Sequence, residues 1–132
     1  MKETELRVWL EGYREAWETR DPEAAAALFS RDAGYYETPF LPPARGRDGI
    51  RNYWANATRS QSNVSFSYEI VTVAGDRGVA RWWAEFTRAS SGRRAVLDGI
   101  FLLEFDEEGL CRELREWWHM TETESRDERW AG

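Results

Sequence analysis

The stretch Gly109-Leu110-Cys111-Arg112-Glu113-Leu114-Arg115-Glu116-Trp117-Trp118-His119-Met120 reads as a β-strand, and its two faces govern how the rest of the chain folds. Alternate side chains of a strand point to opposite sides. One side carries Leu114, Glu116, Trp118 and Met120; the other carries Glu113, Arg115, Trp117 and His119. The first side is apolar apart from one carboxylate. A carboxylate among apolar groups loses hydration, its pKa rises, and it holds or takes a proton near neutral pH. That is the condition for acid–base catalysis. The competing reading pairs Glu116 with Arg112, Arg115 or an arginine on a neighbouring element.

The preceding segments repeat the pattern. Val79–Ala89 places Ala80, Trp82, Ala84 and Phe86 on one face, with Arg81, Trp83 and Glu85 opposite. Arg94–Phe105 places Leu97, Gly99, Phe101, Leu103 and Phe105 together, against Asp98 and Glu104. With Val64–Ala74 these make four strands joined by short turns at Gly75-Asp76-Arg77-Gly78, Ser90-Ser91-Gly92 and Asp106-Glu107-Glu108-Gly109. Turns this short imply antiparallel pairing.

Helical spacing dominates the N-terminal part. Leu6, Trp9, Leu10, Tyr13, Ala16 and Trp17 form one stripe of a helix from about Thr4 to Arg20. Asp21 is a good N-cap and Pro22 suits a first helical position, opening a short helix through Ala24 to Phe29. Gly34–Thr38 is a short strand, and Pro39, Pro42, Pro43 and Gly46 force an irregular loop. Asp48 is placed to cap a third helix that turns Ile50, Tyr53, Trp54 and Ala57 inward. Helices followed by an antiparallel meander imply an α+β architecture, with the helices on one sheet face. If the sheet curls around them, Glu116 points into the enclosed space. After Thr121 the chain turns Glu- and Arg-rich. A domain over residues 1–121 and a polar tail over 122–132, with Trp130 placed to pin it, are expected.

Composition narrows the function. The 132 residues fit one domain with a full core. A net charge of −6 opposes nucleic-acid binding, which needs a positive field. Cys111 is the only cysteine, so no disulfide forms within the chain and a reducing, cytoplasmic setting fits. The longest apolar run is too short to cross a membrane. One histidine and one cysteine make no ligand cluster; no metal and no cofactor are expected. Eight tryptophans supply core, and the walls of a small-molecule pocket. The outward face, with Trp83 and Trp117 among charges, fits a protein contact and leads us to expect a homodimer through the outer sheet face.

Three stretches together resemble the nuclear transport factor 2-like fold, a cystatin-like cone with a curled mixed or antiparallel sheet, and within it the SnoaL-like proteins. They are Tyr13 with Asp21-Pro22-Glu23 and Leu28-Phe29; Tyr35-Tyr36-Glu37-Thr38-Pro39 with Pro42-Pro43-Ala44-Arg45-Gly46-Arg47-Asp48-Gly49-Ile50; and Gly109-Leu110 with Arg115-Glu116-Trp117-Trp118. Comparison with ketosteroid isomerase implies Tyr13 at its oxyanion-binding tyrosine and Glu37 at its general base; its second oxyanion donor falls near Phe101, which cannot donate. Comparison with limonene epoxide hydrolase matches Tyr35-Tyr36-Glu37 to its water-holding Tyr-x-Asn and Glu116 to its last-strand catalytic aspartate; its Arg-x-Asp pair falls at Trp82-Trp83-Ala84 and is absent. The histidine of SnoaL-type cyclases has no inward counterpart, since His119 faces outward.

These readings converge on a pocket for a small apolar or aromatic molecule. Glu116, Glu37 and Tyr13 are the candidate catalytic residues. Tyr35, Trp54, Trp82, Phe86, Phe101 and Trp118 are the candidate ligand-binding walls. An isomerase, hydratase or epoxide-hydrolase-like activity is one expectation; a non-catalytic binding or dimerising module is the other.

Overall fold

The computed structural model describes residues 1–123. Its elements are α1 (Glu3–Glu18), α2 (Pro22–Ala26), β1 (Phe29–Tyr36), β2 (Ala44–Arg45), α3 (Gly46–Thr58), β3 (Gln61–Ala74), β4 (Arg77–Arg88), β5 (Arg94–Phe105) and β6 (Cys111–Thr123). The strands form one mixed sheet in the order β2-β1-β6-β5-β4-β3. The meander is as read from the sequence, with β3–β4, β4–β5 and β5–β6 antiparallel. Trp130 and most of the expected tail lie outside the described residues, and β6 runs on through Glu122 to Thr123.

The strand-face assignment holds. Ala80, Trp82, Ala84, Phe86, Leu97, Phe101, Leu103, Phe105, Leu114 and Glu116 are all buried on the concave side. On the convex side Arg81, Asp98 and His119 are exposed, and Trp117 is 48 % exposed. Helix α1 lies across the concave face with its apolar stripe inward. Its polar side chains fix it to β3: the Tyr68 hydroxyl donates to Glu11 at 2.6 Å, the Phe66 amide to Glu18 at 2.9 Å, and Trp17 Nε1–H to Gln61 at 2.8 Å. The Phe66 amide is available because β3 is an edge strand of the sheet. Asp21 caps α2 as expected, accepting from the Ala24 amide.

Three expectations need correction. The second helix stops at Ala26, not Phe29, because Phe29 is fully buried and pairs with Cys111. For the same reason the first strand starts at Phe29 instead of Gly34. It runs parallel to β6, with Tyr35 opposite Leu114 and Tyr36 opposite Arg115. The third is the cap of α3. That helix begins at Gly46, whose φ of +72° suits a residue without a Cβ. Asp48 sits in the first turn and binds Arg51 at 2.9 Å.

One glycine shapes the floor of the concave side. A Cβ on Gly99 would stand 2.6 Å from two ring carbons of Trp82, so the indole of β4 lies across β5 where a side chain would otherwise rise. Replacing Gly99 by alanine must displace that ring. We expect Gly99→Ala to lower stability by about 1–3 kcal/mol, read as a lower denaturant midpoint; an unchanged midpoint would refute this account of the floor.

Candidate active site

The parallel pairing of β1 with β6 assembles the site. Tyr35 stands beside Leu114; continuing that register by two residues brings Glu37, in the bend just past β1, level with Glu116. Thus two carboxylates from distant parts of the chain line one cavity. Helix α3 closes over them from the other wall with Tyr53 and Trp54, and α1 contributes Tyr13 and Trp17.

Between these walls lies a cavity of about 170 Å³. Tyr13, Tyr35, Glu37, Trp54, Trp82, Phe86, Glu116 and Trp118, all named from the sequence, line it. Phe101 does not. It is fully buried behind Trp82, with ring centroids 5.1 Å apart and near-parallel planes. Trp17, Tyr53, Gln61, Arg88 and Met120 line the cavity too, although the sequence reading gave them no part in the site. Tyr53 had one available signal, its place on the inward side of the third helix. The half-exposed Glu37, Gln61 and Arg88 mark the mouth. Arg88 is tied up there, to Glu122 and to the Met120 sulfur. Of the Pro-rich segment, Phe40 and Leu41 stay exposed to solvent.

Glu116 is only 6 % exposed. Its hydrogen bond comes from the Tyr35 hydroxyl, at 3.3 Å, and the Tyr13 and Tyr35 hydroxyls are 3.0 Å apart. No arginine or lysine among the described residues pairs with Glu116; Arg115, one step away, binds Glu113 and covers the Tyr36 ring on the convex side. Burial therefore raises the Glu116 pKa well above the ordinary carboxylate value, and the Glu37 charge adds to the rise; the Tyr35 hydrogen bond opposes it. Burial likewise pushes up Tyr13, Tyr35 and Tyr53, with the Glu116 charge as the second cause in each. These hydroxyls stay protonated and act as donors. Tyr53 packs beside Tyr35, with ring centroids 4.9 Å apart, and lines the cavity with both carboxylates. Among the described residues no three His, Cys, Asp or Glu side chains gather as metal ligands, and no helix is long and apolar enough to cross a membrane.

Residues 10–114 match the profile of the SnoaL-like domain. The chain belongs to that family. No curated protein sequence matches it. Solved structures share its architecture. RV0760c from Mycobacterium tuberculosis superposes with a TM-score of 0.78 at 13 % identity, covering 93 % of this chain and 99 % of that one. The Δ5-3-ketosteroid isomerase of Mycobacterium sp. gives 0.76 at 19 %, covering 90 % and 98 %. SalBIII, an epoxide hydrolase/cyclase-like enzyme with a role in pyran ring formation in the polyether salinomycin, gives 0.77 at 16 %, covering 89 % and 93 %. At such identities the likeness is one of fold: the nuclear transport factor 2-like cone expected from the sequence.

Glu116 has a measurable signature. The unfolded chain gives up this proton near the ordinary value of 4.5, whereas the native protein keeps it to higher pH. Native stability therefore falls as pH rises from about 4.5 towards the raised native value, by about 1.4 kcal/mol for each pH unit crossed. Glu116→Gln removes that titration. Its melting temperature is expected to rise above that of the unmodified protein, by a margin that widens from acid to neutral pH. A margin that stays constant would contradict the raised pKa.

Proposed function

We propose that this protein binds a compact apolar or aromatic molecule in the cavity and moves a proton on it, with Glu116 as acid and Glu37 as base. One observation carries the reading: a buried carboxyl group, free of any cationic partner among the described residues, faces an open cavity. A carboxyl placed only for stability is normally paired or kept in water. The cavity size sets the scale of the ligand. A cavity of roughly 150 Å³ accepts benzene, so about 170 Å³ suits a single ring with a few substituents.

The chemistry follows from the difference between the two carboxylates. Glu37, at the mouth, takes a proton from the carbon next to a carbonyl group. The C–H electron pair moves towards the carbonyl oxygen, and the neutral Glu116 gives its proton to that oxygen, forming an enol. Reprotonation of the same carbon returns the ligand; where the ligand carries a C=C bond next to that carbon, reprotonation at the far end of the dienol gives the conjugated isomer. The reverse transfers return each proton to the carboxyl it came from. Apolar walls strengthen each of these charge effects by excluding water.

This scheme predicts wash-in of solvent hydrogen, because Glu37 is half-exposed and exchanges its proton with bulk water. In D2O, single-ring ketones are expected to gain deuterium at the carbon beside the carbonyl, followed by NMR. Each of Glu37→Gln and Glu116→Gln should slow the exchange at least ~100-fold. Exchange at the unmodified rate in both variants would sink the scheme.

A further inference from the structure

Two polar residues at the cavity mouth, Gln61 and Arg88, have no part in the acid–base scheme. They are a Cα pair across β3 and β4, and both line the cavity. Side chains paired in this way on one sheet face have Cβ atoms about 4.5–5.5 Å apart, so the two act on one place. What Gln61 offers there is fixed by Trp17, whose Nε1–H donates to the Gln61 side-chain oxygen at 2.8 Å. An indole nitrogen only donates, so the amide cannot turn over without setting donor against donor. The backbone carbonyl of Gln61 is held too, by Arg20 Nη1 at 2.6 Å. Fixed at both points, Gln61 presents its amide NH2 group, which has no partner among the described residues.

Arg88 also has a donor to spare. Its guanidinium carbon lies 5.7 Å from the ring centroid of Phe86, on the cavity wall. Nη2 donates to the Met120 sulfur at 3.0 Å. A thioether is a weak acceptor, so a ligand oxygen displaces it at little cost. Glu122 pairs with Arg88, but it also lies 3.9 Å from Arg93. Arg20, Arg88 and Arg93 thus gather around Gln61, and among the described residues Glu122 is the one carboxylate with which any of them pairs. This side of the mouth carries a positive surplus in a chain of net charge −6. Glu37 reaches the mouth from the other side, just past β1.

We propose that Gln61 and Arg88 form a subsite for the carboxylate of a small ring acid, whose ring fills the cavity while its acid group stays at the mouth. The inference rests on the reading of the cavity as a ligand site and adds what that ligand must carry. One carboxylate oxygen accepts from the Gln61 amide and the other from the guanidinium, as charge-assisted hydrogen bonds. The positive surplus offsets the added charge. At the mouth the acid group keeps part of its hydration, which avoids the cost of burying an ion. A ligand cation meets only donors and like charge here. A neutral amide supplies an acceptor oxygen but gains nothing from the surplus.

Four probes on one ring separate the possibilities: 4-oxocyclohexanecarboxylate, its carboxamide, cyclohexanone and 4-aminocyclohexanone. Each is titrated into the full chain by calorimetry at neutral pH. The inference expects the carboxylate to bind about tenfold more tightly than cyclohexanone, with the carboxamide between them. Raised salt should shrink the advantage of the carboxylate and leave cyclohexanone unmoved. Arg88→Leu should lower the preference for acid over ketone. Gln61→Glu keeps an oxygen for Trp17 but replaces the donor by a second carboxylate, and should reverse the preference. Equal affinity for the carboxylate and cyclohexanone would overturn the inference while leaving the cavity a ligand site. A carboxamide that binds as tightly as the carboxylate would overturn it in favour of a neutral acceptor, and tighter binding of the amine in favour of a cation. If none of the four binds, the ligand-site reading fails and takes the inference with it. The comparison of probes on the unmodified chain decides the matter even if one variant does not fold.

Discussion

The structure depends on keeping one carboxyl group out of water. Glu116 sits on the concave face of β6 with Tyr35 as its hydrogen-bond donor and aromatic rings around it. Charging a group in such a place costs far more than in solvent, so the fold favours its neutral form. Several features of the chain serve that end. β1 runs parallel to β6, which seats the Tyr35 hydroxyl against the carboxyl. Gly99 lets the Trp82 indole lie across the sheet floor. Helix α3 brings Tyr53 and Trp54 over the top. Stability is sacrificed at this point, and such local sacrifices are typical of functional sites.

The second carboxylate gains its meaning from the contrast. Glu37 follows the last residue of β1, at the mouth, half-exposed. Two acids of the same chemical type thus occupy different environments, one buried and one at the mouth. The charge of Glu37 adds to the rise of the Glu116 pKa, which links the two electrostatically. The aromatic cluster contributes shape and low polarity.

Much of this was legible in the sequence because it follows from period-two patterning. The alternation in β4, β5 and β6 placed Trp82, Phe86, Trp118 and Glu116 on one face, and the turns fixed the meander. Glu37 could be placed only by resemblance, since a one-residue slip would have turned it to solvent. What escaped was non-local. Nothing in Phe29–Ala33 separates a strand from a frayed helix end until it is paired with Cys111. Phe101 has the same inward pattern as Trp82, and only the three-dimensional stack shows that the larger ring covers it. The part played by Tyr53 depends on helix α3 meeting β1 across the cavity. At α3, Asp48 is a good cap by type, whereas the helix begins two residues earlier, at Gly46 with its positive φ.

The central claim is that Glu116 is uncharged in the native protein at neutral pH. Infrared difference spectroscopy tests it directly, by comparing the native protein with Glu116→Gln at neutral pH in D2O. The account expects the unmodified protein to show the carbonyl stretch of a protonated carboxylic acid, absent from the variant and unmoved by mild changes of pH. A difference spectrum showing only the bands of an ionised carboxylate would contradict it.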